Sequence, residues 1–79
     1  MEDVPEFKTH DFYIASILKS VGFPLLRLDR QAGSFVDFIF HDPDYKAEET
    51  IDKYWNRTLS VNARDIVETI NELKTRIRS

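Results

Sequence analysis

Leu25, Leu26, Arg27, Leu28, Asp29, Arg30, then Gln31, Ala32, Gly33, then Ser34, Phe35, Val36, Asp37, Phe38, Ile39, Phe40, His41: this stretch decides the fold. Two runs rich in leucine, valine, isoleucine and phenylalanine flank a short glycine-containing segment, which is the pattern of a β-hairpin. With Gln31, Ala32 and Gly33 as a three-residue loop and Gly33 left-handed, the expected pairs are Arg30 with Ser34, Leu28 with Val36 and Leu26 with Phe38. One face is then apolar. On the other, Arg27 opposes Asp37, Leu25 opposes Ile39 and Phe35 lies beside Asp29, so that face is mixed.

Working outward, Pro24 ends whatever precedes the first strand, and Gly22 two residues earlier suits the left-handed terminus of a helix. Ile14, Ile17, Leu18 and Val21 follow i, i+3, i+4, i+7, which predicts a helix from Thr9 to Val21 with Thr9 as cap and Asp11 in the first turn. Phe23 is expected to fold back on Leu18 in a Schellman stop. Beyond the hairpin, Asp42 as cap and Pro43 at the first helical position predict a second helix fading near Arg57, with Ala47, Ile51, Tyr54 and Trp55 at helical spacing. Asn62 caps a third, whose stripe of Ala63, Ile66, Val67, Ile70, Leu73 and Ile77 is the longest in the chain.

The expected class is therefore α+β: helix, two-stranded antiparallel hairpin, helix, helix (αββαα), with the helices on one face of the hairpin and both strands as edges. Residues 1–8 read as a flexible lead and 9–79 as a single domain.

Composition narrows the function classes. In 79 residues, 42% hydrophobic and 32% charged content describes a small globular domain rather than a disordered or membrane chain. The absence of cysteine excludes thiolate chemistry and cysteine-bound zinc, and the acidic start from Met1 to Glu6 is unlike a secretory signal. A cytoplasmic location is expected, without membrane association. A net charge of -3 gives no long-range attraction to nucleic acid.

No catalytic, metal or cofactor site is expected. His10 with Asp11, and His41 with Asp42 and Asp44, are the only metal-like groups, and their aspartates serve better as helix-start residues. The serines sit in no nucleophile elbow, and two glycines cannot build a phosphate loop. The carboxylates of Glu48, Glu49, Asp52, Asp65, Glu68 and Glu72 fall on outer helical faces, where Glu49 with Lys53 and Glu72 with Arg76 form i, i+4 pairs. No small-molecule substrate is indicated.

The remaining candidates are binding residues. Tyr54 and Trp55 are adjacent on a helix and cannot enter one core equally; an exposed ring beside Arg57 is a binding anchor, whereas a buried one is a lid on the core, the reading a small domain favours. Arg57, Arg64, Lys74, Arg76 and Arg78 suggest a phosphate-binding patch, although cations ending a helix also complement its dipole. Leu25, Phe35 and Ile39 on the mixed hairpin face are candidates for self-association. The function expected first is a small non-enzymatic protein-interaction module, homodimeric or bound to a protein partner; the alternative is an accessory nucleic-acid-binding domain.

Three pieces carry a family resemblance: Phe7, Thr9 and Asp11 before a helix closed by Gly22; Phe38, Ile39 and Phe40; and Tyr54, Trp55, Asn56 continuing through Leu59, Val61, Asn62, Ala63 and Arg64. From Phe7 to Ile77 the chain resembles a family of short bacterial proteins grouped as a domain of unknown function, whose last helix carries a pair like Leu73 and Lys74. Arg57 and Asn62 stand where that pattern has Gly and Asp. The resemblance implies an architecture and no reaction.

Overall fold

The computed structural model describes residues 5–30 and 35–78. Its elements run β1 (Glu6–Thr9), α1 (Phe12–Ser20), β2 (Leu25–Arg30), β3 (Val36–His41), α2 (Ala47–Trp55) and α3 (Ala63–Arg78). The class is α+β as expected, but the sheet has three antiparallel strands in the order β1-β3-β2, so β3 is central and the hairpin has one edge strand rather than two. The added strand's residues Glu6, Phe7 and Lys8 fall in the segment that reads as a flexible lead, and Thr9 is the expected helix cap. Glu6, Phe7, Lys8 and Thr9 alternate between exposed and half-buried, and pair with His41, Phe40, Ile39 and Phe38.

The hairpin register differs from the expected one. Arg30 faces Val36, Asp29 faces Asp37, Leu28 faces Phe38 and Arg27 faces Ile39. Each of these pairs is displaced by two positions, an even number, so the side chains from Arg27 to Arg30 keep their faces. The turn through Gln31, Ala32 and Gly33, and Ser34 with it, falls outside the described residues. A bulge between Leu25 and Arg27 then breaks the alternation: Leu25 pairs with Phe40 on the core face, and Leu26 turns outward. Leu25 therefore packs against the core rather than standing on a mixed outer face.

Helices cover one side of this sheet. Ile14, Ala15 and Leu18 of α1, Phe38 and Phe40 of β3, Ala47 of α2 and Leu73 of α3 form the buried cluster, with Phe7, Phe23, Leu28, Ile51 and Tyr54 packed around it. Ala15 and Ser16 are small and fully enclosed, which lets α1 approach its neighbours closely. Both α2 and α3 pack on α1 rather than mainly on each other. The result is a two-layer slab of 35 × 34 × 17 Å.

Helix boundaries follow hydrogen bonds that the sequence signals. The Asp11 carboxylate, not Thr9, caps α1 by accepting from the backbone N–H of Tyr13 at 2.9 Å and Ile14 at 3.0 Å. The Schellman stop forms as expected: Phe23 N–H donates to the Leu18 carbonyl at 3.0 Å, Gly22 N–H to Lys19 at 3.1 Å, and Gly22 has φ 114°. Asn62 Oδ1 accepts from Asp65 N–H at 3.0 Å at the start of α3. α2 begins later than Pro43, because Tyr45 at φ 55° closes a turn first and Lys46, with no side-chain bond of its own, takes the cap position; Asp42 supplies the capping carboxylate from four residues earlier, accepting from Lys46 N–H at 2.7 Å and Ala47 N–H at 3.2 Å.

α2 ends in a second Schellman motif, with Thr58 N–H donating to Lys53 at 2.9 Å and Arg57 N–H to Tyr54 at 3.1 Å. Here Arg57 occupies the left-handed position at φ 64°. A Cβ there costs about 1–2 kcal/mol, against about 0.5–1 kcal/mol lost to the greater unfolded freedom of glycine. Arg57→Gly is accordingly expected to stabilise the domain by about 0.5–1 kcal/mol, read as a higher denaturation midpoint at unchanged m-value. An unchanged or lowered midpoint would count against this geometry.

Candidate interaction groove

Uncovered by helices, the outer sheet face is held by charge. Arg27 on β2 reaches across β3 to Glu6 on β1, its two terminal nitrogens at 3.3 and 3.5 Å from the carboxylate oxygens, while its Nε lies 3.3 Å from Asp29. Hydrogen bonding to Glu6 raises the Arg27 pKa further above its already basic value, with the charges of Glu6 and Asp29 adding to it. Ile39 sits between Lys8 and Arg27 in the sheet and is only 3% exposed. It is therefore not an open self-association surface. The shifted register also replaces the expected Arg27–Asp37 pair, placing Asp37 opposite Asp29.

Phe35 is exposed, its ring edge-on to His10 with centroids 5.5 Å apart. His10 thus lies at the opposite end of β3 from His41, which pairs with Glu6. Among the described residues no three histidine, aspartate or glutamate side chains are grouped as a metal set would require. Asp11 and Asp42 both act as helix caps.

The basic candidates are dispersed along the molecule. Arg57 stands at the end of α2, and Arg64 at the start of α3 pairs with Glu68 at 2.8 Å. Arg64 and Arg78 are roughly 20 Å apart along the helix. Glu72 pairs with Lys19 at 3.4 Å instead of Arg76, which tethers α3 to α1. The Glu49–Lys53 pair forms at 3.6 Å. The Ile77 carbonyl near the end of α3 accepts from Arg30, so a β2 side chain adds a cation to Arg76 and Arg78, which stand in the last turn as expected.

Lys74 and Arg78 stand one helical turn apart, form no ion pair among the described residues, and flank an open groove of about 240 Å³ whose other walls are Phe12, Tyr13 and Ile77. Arg76 projects to the opposite side of the helix. Phe12 is half-buried, edge-on to Phe38 at 6.3 Å, and so forms a fixed floor. Tyr13 is 62% exposed and edge-on to Phe12 at 5.4 Å. Two aromatics in succession at a helix start were the available signal for this site. The geometric argument applied to Tyr54 and Trp55 holds equally for Phe12 and Tyr13: one ring of each pair must face away from the core.

Tyr54 packs on the core, whereas Trp55 is 66% exposed and edge-on to Tyr54 at 5.0 Å. The tryptophan is thus no lid. A second depression, of about 250 Å³, lies at the other end of α1 between the Gly22 stop and the Asp42–Lys46 turn, where Asp42 is already engaged as a cap.

The model of the family described as "Domain of unknown function (DUF5659)" matches residues 5–79, nearly the whole chain. The chain belongs to the DUF5659 family. This extends the family match through β1, the strand that local reading missed, and through the groove-lining end of α3. No curated protein and no solved structure matches this DUF5659 chain. Among its described residues no helix is long and apolar enough to cross a membrane.

Proposed function

We propose that this DUF5659 domain is a non-enzymatic protein-interaction module, and that its binding surface is the groove between the start of α1 and the end of α3. The observation that carries the reading is the pairing of open apolar walls with two cations, Lys74 and Arg78, that form no ion pair among the described residues. Phe12 and Ile77 offer a preformed apolar floor, and Tyr13 an amphipathic contact that needs little ordering. Lys74 and Arg78 favour carboxylates beside the anchor. The occupant suited to this surface is an acidic protein segment bearing one aromatic or large aliphatic side chain. A groove so open and apolar offers no convergent set of polar groups for a reaction.

The dispersal of Arg57 and Arg64 away from Lys74 and Arg78 weighs against a nucleic-acid surface, which calls for cations along one face. A synthetic peptide with a tryptophan between glutamates and a single-stranded oligonucleotide of random sequence separate the two readings in fluorescence titrations. The peptide is expected to bind and to be weakened by salt. Tyr13→Ala should lower its affinity about tenfold, the ~1.4 kcal/mol scale of a lost aromatic anchor, and Lys74→Gln with Arg78→Gln should remove the salt dependence. Binding of the oligonucleotide in preference to the peptide would replace this reading with the nucleic-acid one.

A further inference from the structure

We infer that the groove receives a second copy of this chain, through the exposed face of its α2, so that the domain associates head to tail. The inference rests on the groove reading above and names its partner. On α2, Glu48, Asp52 and Trp55 follow i, i+4, i+7 and share one exposed stripe. The carboxylate between them in sequence, Glu49, is held by Lys46 and Lys53 at 3.6 Å each, while Glu48 and Asp52 have no ion pair among the described residues. This is an acidic stripe ending in an unburied tryptophan.

The groove has the complementary composition. Lys74 and Arg78 are also i, i+4, so cations and carboxylates are both spaced at about 6 Å along their helices, and two adjacent charge pairs can form in register. Trp55 follows Asp52 by a further ~4.5 Å of rise, within the reach of an indole ring from the apolar seat that Tyr13, Phe12 and Ile77 provide beside the two cations. Within one chain the match cannot be made: Trp55 is 66% exposed and lines no part of its own groove. Because donor stripe and acceptor groove are different surfaces, the contact is heterologous, and each bound copy still offers a free stripe or a free groove.

Sedimentation velocity of the full chain from 10 µM to 1 mM tests this. The expected result is a weight-average mass that climbs with concentration past the dimer and falls back at high salt. Trp55→Ala, which disables the stripe, and Tyr13→Ala, which disables the groove, should each be monomeric with an unaltered thermal melt, since both side chains are exposed. An equimolar mixture of these two variants retains one intact stripe and one intact groove, and should form a dimer that grows no further. If the wild-type chain stays monomeric at 1 mM while the glutamate-flanked tryptophan peptide still binds, self-association is overturned and the groove reading stands. If the peptide fails as well, both fall. Oligomers that persist in Trp55→Ala, or a mixture that stays monomeric, would place the contact elsewhere and overturn the inference.

Discussion

Leu73→Ala is expected to cost about 3 kcal/mol of folding stability, within the ~2–5 kcal/mol range for a leucine truncated in a closed core. Leu73 is wholly buried and is the α3 member of the central cluster, where it meets α1 and the phenylalanines of β3. A domain this small commands about 3–5 kcal/mol in total, so the variant should be substantially unfolded at 37 °C. Urea denaturation checks this through a lower midpoint at an unchanged m-value. Val67→Ala on the same helix is the control: Val67 belongs to the apolar stripe of the sequence but is 55% exposed, and its truncation should stay within ~0.5 kcal/mol. Equal losses at the two positions would show that α3 docks on a different face.

Asp42→Ala should be nearly as damaging, at about 2–3 kcal/mol, although it removes hardly any apolar surface. Asp42 is buried, and its two carboxylate oxygens accept the N–H groups of Lys46 and Ala47 at the start of α2. Removing the cap costs up to ~2 kcal/mol, and leaving the buried Ala47 N–H without an acceptor adds ~1 kcal/mol or more. Asp42→Asn retains one acceptor oxygen and should lose roughly half as much. Far-UV circular dichroism alongside chemical denaturation separates the outcomes: fraying of α2 precedes global unfolding in Asp42→Ala and not in Leu73→Ala. Asp42→Ala of wild-type stability would mean that the turn through Pro43, Asp44 and Tyr45 does not hold the helix start.

Much of the helical layer was legible because its signals are local. Gly22 and Phe23 end α1 as read, and Asn62 opens α3. Asp42 was recognised as a cap, but Tyr45 in the left-handed region delays the helix, and nothing in the residue type announces that conformation. β1 escapes a local reading because four residues after Pro5 are too few to stand out, and their partners in β3 lie between Phe38 and His41, far along the chain. In α3 the deeply buried Thr69 was overlooked for its hydroxyl, while Val67 was included for its side chain. The site is legible in part: Lys74 and Arg78 stand out as cations, whereas Phe12 and Tyr13 fall inside the expected helix without a pattern of their own.

Sequence alone thus determined the α+β class, the order of the three helices, the existence of the hairpin and the faces on which the residues from Arg27 to Arg30 and from Val36 to Ile39 stand. Those features rest on side-chain period and on hydrogen bonds that close within five or six residues, so each is encoded beside the place where it acts. Tertiary structure decided the third strand, the hairpin register, the packing of Leu25 on the core, the burial of Ile39, and the meeting of Tyr13 with Lys74 and Arg78. The contacts that settle these matters join residues far apart, as Glu6 with Arg27 across 21 positions and Arg30 with Ile77 across 47. Hydrophobic burial brings such segments together without directional preference, and the final pairing follows from how the whole set of side chains packs at once.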